Sequence, residues 1–273
     1  MSFILKNLSY AKSHIKKTNP DVLILIDYPG FNLRIAKYAK KIDIPVYWFI
    51  APQLWAWKGN RIRVMRKYID KLFVALPFEL DYFKDRGLKT FYFGHPLLDI
   101  AQSKEKLDSS LKLGKPLIAL LPGSRKQEIR KILPIMLGVL PHFLDYRFVI
   151  ICVNNIQRSF YENLIGDLNV ELKFNKDILY SVSGAVVTSG TATLETALIK
   201  TPQVVCYKSS WISFQIGKIL LKNLKFISLV NLILNKTAVT ELIQGQLNKK
   251  NIAKELKYII SEDGKKEVLS FYD

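Results

Sequence analysis

The most constraining feature of this sequence is a series of short, uninterrupted apolar runs, several of which end at a Gly, Pro or polar turn and lead into a helix-like segment. Buried strands that alternate with helices are typical of a parallel sheet covered on both faces. The sequence therefore predicts a doubly wound α/β fold. The predicted strands are residues 21–27, 46–50, 72–76, 91–93, 117–121, 148–153, 185–187 and 203–207.

A polar, lysine-rich segment, residues 100–115, interrupts this series and is the predicted linker. It divides the chain into two α/β units, residues 1–103 and 104–273. Ligands of open α/β sheets bind beyond the carboxyl ends of the strands, where the marked turns lie. We expect the chemistry along one edge of both units, in a cleft between them.

The charge is strongly positive, with 41 Lys and Arg against 23 Asp and Glu and a net charge of +18. Such a field attracts nucleic acid, anionic lipid headgroups or phosphorylated substrates, and composition does not choose among them. No apolar run approaches the roughly 20 residues that span a bilayer. The two cysteines, Cys152 and Cys206, lie in apolar runs. They predict buried strand positions in a cytosolic protein without a disulfide framework or a cysteine metal site.

The sharpest local motif is TSGTATLE, residues 188–195, a turn of small residues that leads directly into a helix. The free N–H groups and the dipole at that helix terminus suit a phosphate, and Gly190 would let it approach the backbone. The alternative is ordinary N-capping by Ser189 or Thr191, with Glu195 completing a capping box.

A second motif, LLPGSR at residues 120–125, places the Ser124 hydroxyl and the Arg125 guanidinium where a strand ends. Arginine suits a diphosphate because its planar fork binds oxygens in pairs. A plain turn with a solvated Arg is equally open. The chain has neither G-x-x-x-x-G-K-[ST] nor G-x-G-x-x-G, which argues against a P-loop NTPase and a standard dinucleotide dehydrogenase.

Asp27 closes an apolar strand, where a carboxylate is costly unless it is paired, exposed or functional. It could act as a general base for a sugar hydroxyl, or simply cap a helix. His95, between Gly94 and Pro96, could bind an anion, act as an acid or be structural. No metal-ligand set is visible, and we predict no metal and no cofactor.

Two basic stretches carry aromatic residues, at 55–67 with Trp55 and Trp57, and at 207–225. The second has apolar and cationic residues at helical spacing, which suits a helix lying among lipid headgroups. Binding of single-stranded nucleic acid and packing of an ordinary amphipathic helix are the alternatives.

Six motifs in succession make a stronger pattern: IDYPGFN (26–32), PQLWAWKGNRI (52–62), LPFE (76–79), GHPLLD (94–99), LLPGSRKQEI (120–129) and SGTATLE (189–195). This order resembles the lipid-A-disaccharide synthases, bacterial GT-B glycosyltransferases of family 19, from about residue 20 to at least residue 245. The resemblance implies two Rossmann-like units facing across a cleft. Residues 1–103 would be the acceptor-side unit and residues 104–273 the UDP-sugar-binding unit.

The resemblance also implies a reaction, the transfer of 2,3-diacylglucosamine from UDP to the 6-hydroxyl of 2,3-diacylglucosamine 1-phosphate (lipid X). The products are the β-1,6-linked lipid A disaccharide 1-phosphate and UDP, with inversion and without a metal. The implied partners are UDP-2,3-diacylglucosamine, lipid X and an anionic membrane surface, and not nucleic acid. The implied location is the cytoplasmic face of the inner membrane, bound peripherally, and a homo-oligomer is left open.

Site roles follow from the resemblance. Asp27 would be the base. Arg125 and the N–H groups near Ser189, Gly190 and Thr191 would stabilise the UDP diphosphate. Ser124, Asn154, Thr193 and Glu195 would complete the nucleotide pocket. Gln53, Trp55, Trp57 and His95 would line the acceptor side.

Two departures from the family pattern matter. Gly30 stands where many relatives carry Asp, and the family's G-E-x-S-G-D motif, expected before Asp21, is missing. We therefore expect an incomplete N-terminal unit with apolar sheet backbone exposed at its edge. The rival functions are a truncated, non-catalytic remnant that binds UDP or lipid, and a nucleic-acid-binding module.

Overall fold

The computed structural model describes residues 2–56, 59–103, 114–210 and 225–272, and the chain divides into two compact units. Unit 1 runs to Pro96 and unit 2 begins at Leu97. A helix, α5 (Pro96–Ser103), occupies the first part of the predicted linker. Residues 104–113 of that linker lie outside the described residues.

Unit 1 alternates helices and strands along the chain. Its elements are α1 (Ser2–Thr18), β1 (Leu23–Ile26), α2 (Pro29–Ala39), β2 (Val46–Phe49), α3 (Ile62–Tyr68), β3 (Lys71–Val74), α4 (Pro77–Lys84) and β4 (Thr90–Tyr92). The four strands form a parallel sheet in the order β1-β2-β3-β4, so each new strand adds on the same side of the one before it.

The core of unit 1 lies on one face of this sheet. Buried residues of α1 to α4, such as Ile35, Met65 and Phe83, form one cluster with the strand residues Trp48 and Leu72. Trp48 is fully buried, and its indole nitrogen donates to the carbonyl oxygen of Ile50 at 3.1 Å. The expectation of helices on both faces does not hold for the described part of this unit, because a sheet that grows in one direction with right-handed crossovers receives its helices on one side.

Unit 2 continues after α5 with a larger sheet. Its further elements are β5 (Leu117–Leu121), α6 (Lys126–Leu137), β6 (Arg147–Ile151), α7 (Arg158–Ile165), β7 (Glu171–Lys173), β8 (Gly184–Thr188), α8 (Thr191–Leu198), β9 (Gln203–Tyr207), α9 (Leu229–Leu234), β10 (Glu241–Ile243), α10 (Lys249–Ile260) and α11 (Glu262–Ser270). The six strands are parallel, in the order β10-β9-β8-β5-β6-β7.

Both faces of the sheet in unit 2 are buried. Ile118 and Leu120 of β5 belong to a cluster on one face, and Ala119 and Leu121 belong to a cluster on the other. This is the doubly wound arrangement that the uninterrupted apolar runs predict. The order reverses next to β5, which pairs with β6 on one side and β8 on the other.

The predicted strands are all present, each within two residues of its predicted ends. Cys152 and Cys206 are buried as predicted, but only Cys206 lies in a strand, since Cys152 directly follows β6. Burial raises the pKa of the Cys152 thiol to about 12. The helices α2 and α8 begin at Pro29 and Thr191, directly after the turns that follow β1 and β8. No described helix is both long enough and apolar enough to cross a membrane.

Candidate active site

In unit 2, the two predicted phosphate-binding loops follow neighbouring strands. Leu121 at the end of β5 is in register with Val187 near the end of β8. Parallel strands of a sheet lie about 4.8 Å apart, so the loops 122–125 and 189–191 begin side by side. They flank the point where the strand order reverses, which is where doubly wound sheets bind ligands.

The turn at residues 189–191 leaves room for a ligand at the start of α8. Gly190 has a φ of 153°, and a Cβ there would meet no atom within 4 Å. The N-cap position is Gly190 and has no side-chain cap, so neither Ser189 nor Thr191 caps the helix as the plainer interpretation supposed. Thr193 is fully buried and its hydroxyl donates to the Gly190 carbonyl at 2.8 Å, so its side chain shapes the turn from within.

A partly buried polar network supports this turn on the side of residues 227–241. The Ser189 hydroxyl donates to the carbonyl of Ile227 at 2.8 Å. The Glu241 carboxylate accepts from the N–H groups of Ile227 and Ser228 and from the side-chain amide of Asn231. Asn231 is itself fully buried. This network could not be predicted from the sequence, because its members are separated along the chain and match no local motif.

The loop after β5 is shaped by a carboxylate in the first turn of α6. Gly123 has a φ of 113°, and a Cβ there would lie 2.2 Å from Glu128 Oε2. The same oxygen accepts from the Ser124 N–H at 3.0 Å. Arg125 is the exposed N-cap residue of α6. The positive φ thus favours glycine at 123, and the Arg125 side chain is left accessible.

Glu195 pairs with a lysine that sequence analysis did not single out. Lys176 Nζ lies 2.5 Å from Glu195 Oε2, and the Glu195 side chain is 23% exposed. Glu195 thus forms an ion pair with Lys176 and not the capping box considered for it. Asn154 lies exposed in the loop after β6.

In unit 1, Asp27 is exposed at the carboxyl end of β1 on an unusual turn. Asp27 and Tyr28 have φ values of 45° and 44°, in the left-handed region that non-glycine residues seldom adopt. The amide nitrogen of Asn32 donates to the carbonyl oxygens of Ile26, at 2.9 Å, and Asp27, at 2.6 Å. Strained backbone of this kind concentrates at functional sites.

A cavity of about 390 Å³ lies beside this turn. It combines guanidinium groups with apolar and aromatic surface. Its lining includes Ile4, Tyr28, Phe31, Arg34, Arg61 and Val64.

The residues predicted to line the acceptor side differ in burial and in their hydrogen-bond partners. The indole nitrogen of Trp55 donates to Glu79 Oε1 at 2.9 Å, and its ring meets Phe78 edge-on at 5.0 Å. Glu79 is 2% exposed, and this burial raises its pKa although Trp55 and backbone N–H groups favour the ionised form. Gln53 is exposed, while partial burial lowers the pKa of His95. Trp57 lies outside the described residues.

These groups define two kinds of chemistry, one in each unit. Unit 1 offers an exposed carboxylate beside a cationic and apolar cavity, and unit 2 offers a guanidinium and an open helix N-terminus at a switch point. The described part of the chain contains no cluster of His, Cys, Asp or Glu that could hold a metal ion.

Comparison with solved structures defines the class. The S. aureus MnaA–UDP co-structure superimposes with a TM-score of 0.69 over all of this chain and 76% of its own, at 14% identity. UDP-GlcNAc 2-epimerase from Neisseria meningitidis gives 0.67 over 97% of this chain and 75% of its own, also at 14% identity. The fold is the GT-B type, built from Rossmann-like units.

The family model for lipid-A-disaccharide synthetase matches residues 1–271. Lipid-A-disaccharide synthase from Syntrophus aciditrophicus is 37% identical over 97% of this chain and 73% of its own length. Lipid-A-disaccharide synthase 1 from Legionella pneumophila strain Lens is 38% identical over 87% of this chain and 65% of its own. The chain belongs to the lipid-A-disaccharide synthase family of glycosyltransferases, and spans about two thirds to three quarters of these relatives.

Proposed function

We propose that this protein transfers 2,3-diacylglucosamine from UDP to the 6-hydroxyl of lipid X. The products are the β-1,6-linked lipid A disaccharide 1-phosphate and UDP. The observation that carries the proposal is the exposed carboxylate of Asp27, held by Asn32 on a left-handed turn at the end of β1. This turn lies within the IDYPGFN motif of a chain that matches the synthase family over residues 1–271.

The Asp27 carboxylate serves as general base. It takes the proton of the acceptor hydroxyl as that oxygen bonds to the anomeric carbon from the side opposite UDP. The bond from that carbon to the UDP oxygen breaks, and its electron pair leaves with the diphosphate. One direct displacement inverts the anomeric centre, and a positioned base contributes about 10²–10⁴-fold to such a step.

Unit 2 stabilises the departing diphosphate. The neighbouring loops at the strand-order reversal support this role, since donors fixed before the reaction need no reorganisation as charge develops. Arg125 and the Ser124 hydroxyl come from one loop and the N–H groups of Gly190 and Thr191 from the other. The Ser189 N–H, which was also predicted as a donor, instead donates to the carbonyl oxygen of Cys206 at 2.8 Å. Glu195, oriented by Lys176, receives the ribose hydroxyls, and Asn154 contributes to the nucleotide pocket.

Unit 1 receives the acceptor. The cavity beside Tyr28 has the mixed character that lipid X requires, since Arg34 and Arg61 suit its phosphate and the apolar lining suits its acyl chains. Gln53, Trp55, Trp57 and His95 contribute to the acceptor side. Phe3 and Leu5 of α1 are 75% and 59% exposed, which, with the +18 charge, supports peripheral binding to the anionic cytoplasmic face of the inner membrane.

The test is to incubate the purified chain in detergent with UDP-2,3-diacylglucosamine and lipid X and to follow the disaccharide phosphate by mass spectrometry. Asp27→Asn is expected to lower the rate at least 100-fold, within the range a general base contributes. Asp21→Asn, at an exposed aspartate just before β1, is the matched control and should leave it unchanged.

Two other outcomes would contradict the proposal. A folded chain that binds UDP but yields no product would be a non-catalytic remnant of the family. Nucleic-acid binding that falls steeply with salt, without any response to UDP, would point to the nucleic-acid-binding module.

A further inference from the structure

The loop that follows β2 is held by three contacts from α4. The indole nitrogen of Trp55 donates to Glu79 Oε1 at 2.9 Å, and the Trp55 ring meets Phe78 edge-on at 5.0 Å. The Tyr82 hydroxyl donates to the carbonyl oxygen of Leu54 at 3.0 Å. Glu79 and Tyr82 are three positions apart, so they lie on the same side of the helix. We refer to these three contacts as the α4 clamp.

Glu79 does more than cap its own helix. Its Oε2 accepts from the Leu76 N–H at 3.1 Å, the ordinary role of a carboxylate in the first turn of a helix. Its Oε1 accepts from the indole of Trp55, which lies 24 residues earlier in the chain. Glu79 is 2% exposed, and burial of a carboxylate is costly. Capping alone does not require this burial, because a carboxylate at an exposed helix terminus makes the same bond to the backbone.

The clamp also lies beside the turn that leads to the cavity of unit 1. Residues 59–61 form a short 3-10 helix that ends at Arg61, which lines this cavity. A Cβ at Gly59 would lie 3.7 Å from the Leu54 carbonyl oxygen and 3.9 Å from the Tyr82 hydroxyl oxygen. The start of the turn is therefore next to the hydrogen bond between these two groups, and its position depends on that bond.

The sheet brings the clamped loop to the same edge as Asp27. Ile26, Phe49 and Phe73, at or near the carboxyl ends of β1, β2 and β3, are in register. The loops after these three strands therefore begin side by side. The Asp27 N–H donates to the carbonyl oxygen of Phe49 at 3.2 Å. Gln53, which is exposed in the clamped loop, thus belongs to the same edge as the expected base.

We propose that Glu79 and Tyr82 are positioning residues for the acceptor, an inference that rests on the proposed function of unit 1. They act through the Trp55 indole and the Leu54 carbonyl, and not by contact with lipid X. The clamp holds the loop after β2 and the turn at Arg61 in place before the acceptor binds. Groups that are ordered in advance avoid the cost of ordering on binding. The donor loops belong to unit 2, so loss of the clamp should weaken the acceptor alone.

The test compares Glu79→Gln and Tyr82→Phe with the wild type in the detergent assay, with lipid X varied at saturating donor. A glutamine offers one acceptor oxygen, so it can keep the bond to Leu76 or the bond to Trp55, and not both. Tyr82→Phe keeps the ring and removes the hydrogen bond. Each variant should raise the KM for lipid X at least fivefold, change kcat less than twofold and leave the Kd for UDP unchanged.

The split between KM and kcat separates positioning from stability. A merely destabilised enzyme contains less folded protein, which lowers the apparent kcat and leaves KM unchanged. Tyr10→Phe, at a tyrosine of α1 that is 72% exposed, is the matched control and should leave both values as in the wild type. Circular dichroism checks that each variant is folded.

A double-mutant cycle tests the route from Glu79 to the loop. Trp55→Phe removes the indole N–H and retains an aromatic ring, and it should raise the KM for lipid X as Glu79→Gln does. If the two side chains act through one contact, the double variant should be no worse than the more severe single variant. Increases that multiply would show that Glu79 does not act through Trp55, and would overturn the proposal.

Binding of lipid X alone, measured by calorimetry in the same detergent, separates this inference from the proposed function. Weaker binding by both α4 variants, with a wild type that forms no disaccharide, would support the clamp and contradict the transfer. Transfer by the wild type with an unchanged KM in both variants would overturn the clamp and leave the transfer standing. A fall in kcat alone, or an equal rise in the Kd for UDP, would also overturn the positioning role.

Discussion

The side-chain amide of Asn32 lies 2.6 Å from the carbonyl oxygen of Asp27. Asn32 is only 9% exposed, so the exposed carboxylate and the buried amide are joined through the backbone of one turn. The amide stabilises a left-handed conformation that costs a non-glycine residue about 1–3 kcal/mol. The backbone at the expected base is therefore held by a neutral residue five positions later.

Replacing Asn32 tests this positioning. Asn32→Ala removes two hydrogen bonds at a buried position and should lower the free energy of unfolding by about 1–3 kcal/mol. The kcat of transfer should fall at least tenfold, while KM changes little, because the change misplaces the base without touching the substrates. Asn163→Ala, on the exposed surface of α7, is the control. A kcat equal to the wild-type value would contradict a positioning role.

Glu79 should give unit 1 a measurable dependence on pH. Burial raises its pKa in the native state, so the native protein holds this proton more tightly than the unfolded chain does. Its contribution to the free energy of unfolding should fall as pH rises from about 4.3, the unfolded value, through the raised native pKa. Urea unfolding of the wild type and Glu79→Gln across this range measures the difference. If the free energies of unfolding of the wild type and Glu79→Gln change in parallel with pH, the pKa of Glu79 is not raised in the native state.

Gly123 should resist substitution because of its backbone conformation. Gly123→Ala would force a side chain into positive φ, against the carboxylate of Glu128. We expect a loss of about 1–2 kcal/mol in unfolding free energy and weaker UDP binding, since the loop that carries Arg125 must shift. Gly245→Ala, where a Cβ meets nothing within 4 Å, is the control. Equal melting temperatures for the two variants would refute the prediction.

The Lys176–Glu195 pair offers a test of the nucleotide site. If Glu195 binds the ribose, Glu195→Gln should raise the Kd for UDP about tenfold, which corresponds to 1.4 kcal/mol. Lys176→Met should raise it by a smaller factor, because the carboxylate remains but loses its partner. Glu162→Gln removes an exposed pair with Arg158 on α7 and should leave calorimetric UDP binding unchanged. Tight binding by Glu195→Gln would exclude the ribose role.

Gly30 permits a gain-of-carboxylate experiment. A Cβ at Gly30 would meet no atom within 4 Å, and the residue lies in the first turn of α2. Gly30→Asp should raise the free energy of unfolding by about 0.5–1 kcal/mol, through helix propensity and the helix dipole. Transfer should change no more than a few-fold if Asp27 is the base. Activity restored to an Asp27→Asn variant by Gly30→Asp would instead assign the base to position 30.

The strands and the doubly wound sheet of unit 2 could be predicted because continuous apolar runs directly express burial on both faces. The same pattern in β1, LILI, led to the expectation of a covered sheet in unit 1, where Ile24 and Ile26 are in fact exposed. The apolar composition of a strand does not show whether both faces of its sheet are covered by other elements. The strands β7 and β10 were not predicted, because a strand of three residues with mixed polarity is too short to show a hydrophobic periodicity.

The candidate site was predictable where a turn carries its own signal, as at Asp27 and at Ser189–Thr191. It was not predictable where a partner comes from elsewhere in the chain. Lys176 reaches Glu195 across 19 residues and Glu79 reaches Trp55 across 24, and neither spacing has a helical or strand period. The predicted roles of the basic stretch at 207–225 fall largely on residues 211–224, which lie outside the described residues.

The burial of Trp48 gives the molecule an internal optical label. Trp48 and Trp55 belong to unit 1, as does the chain position of Trp57, and Trp211 is the fourth tryptophan of the sequence. In a Trp211→Phe background, all indole emission comes from the range of unit 1. Fluorescence then follows the melting of that smaller half separately, while circular dichroism sums over both.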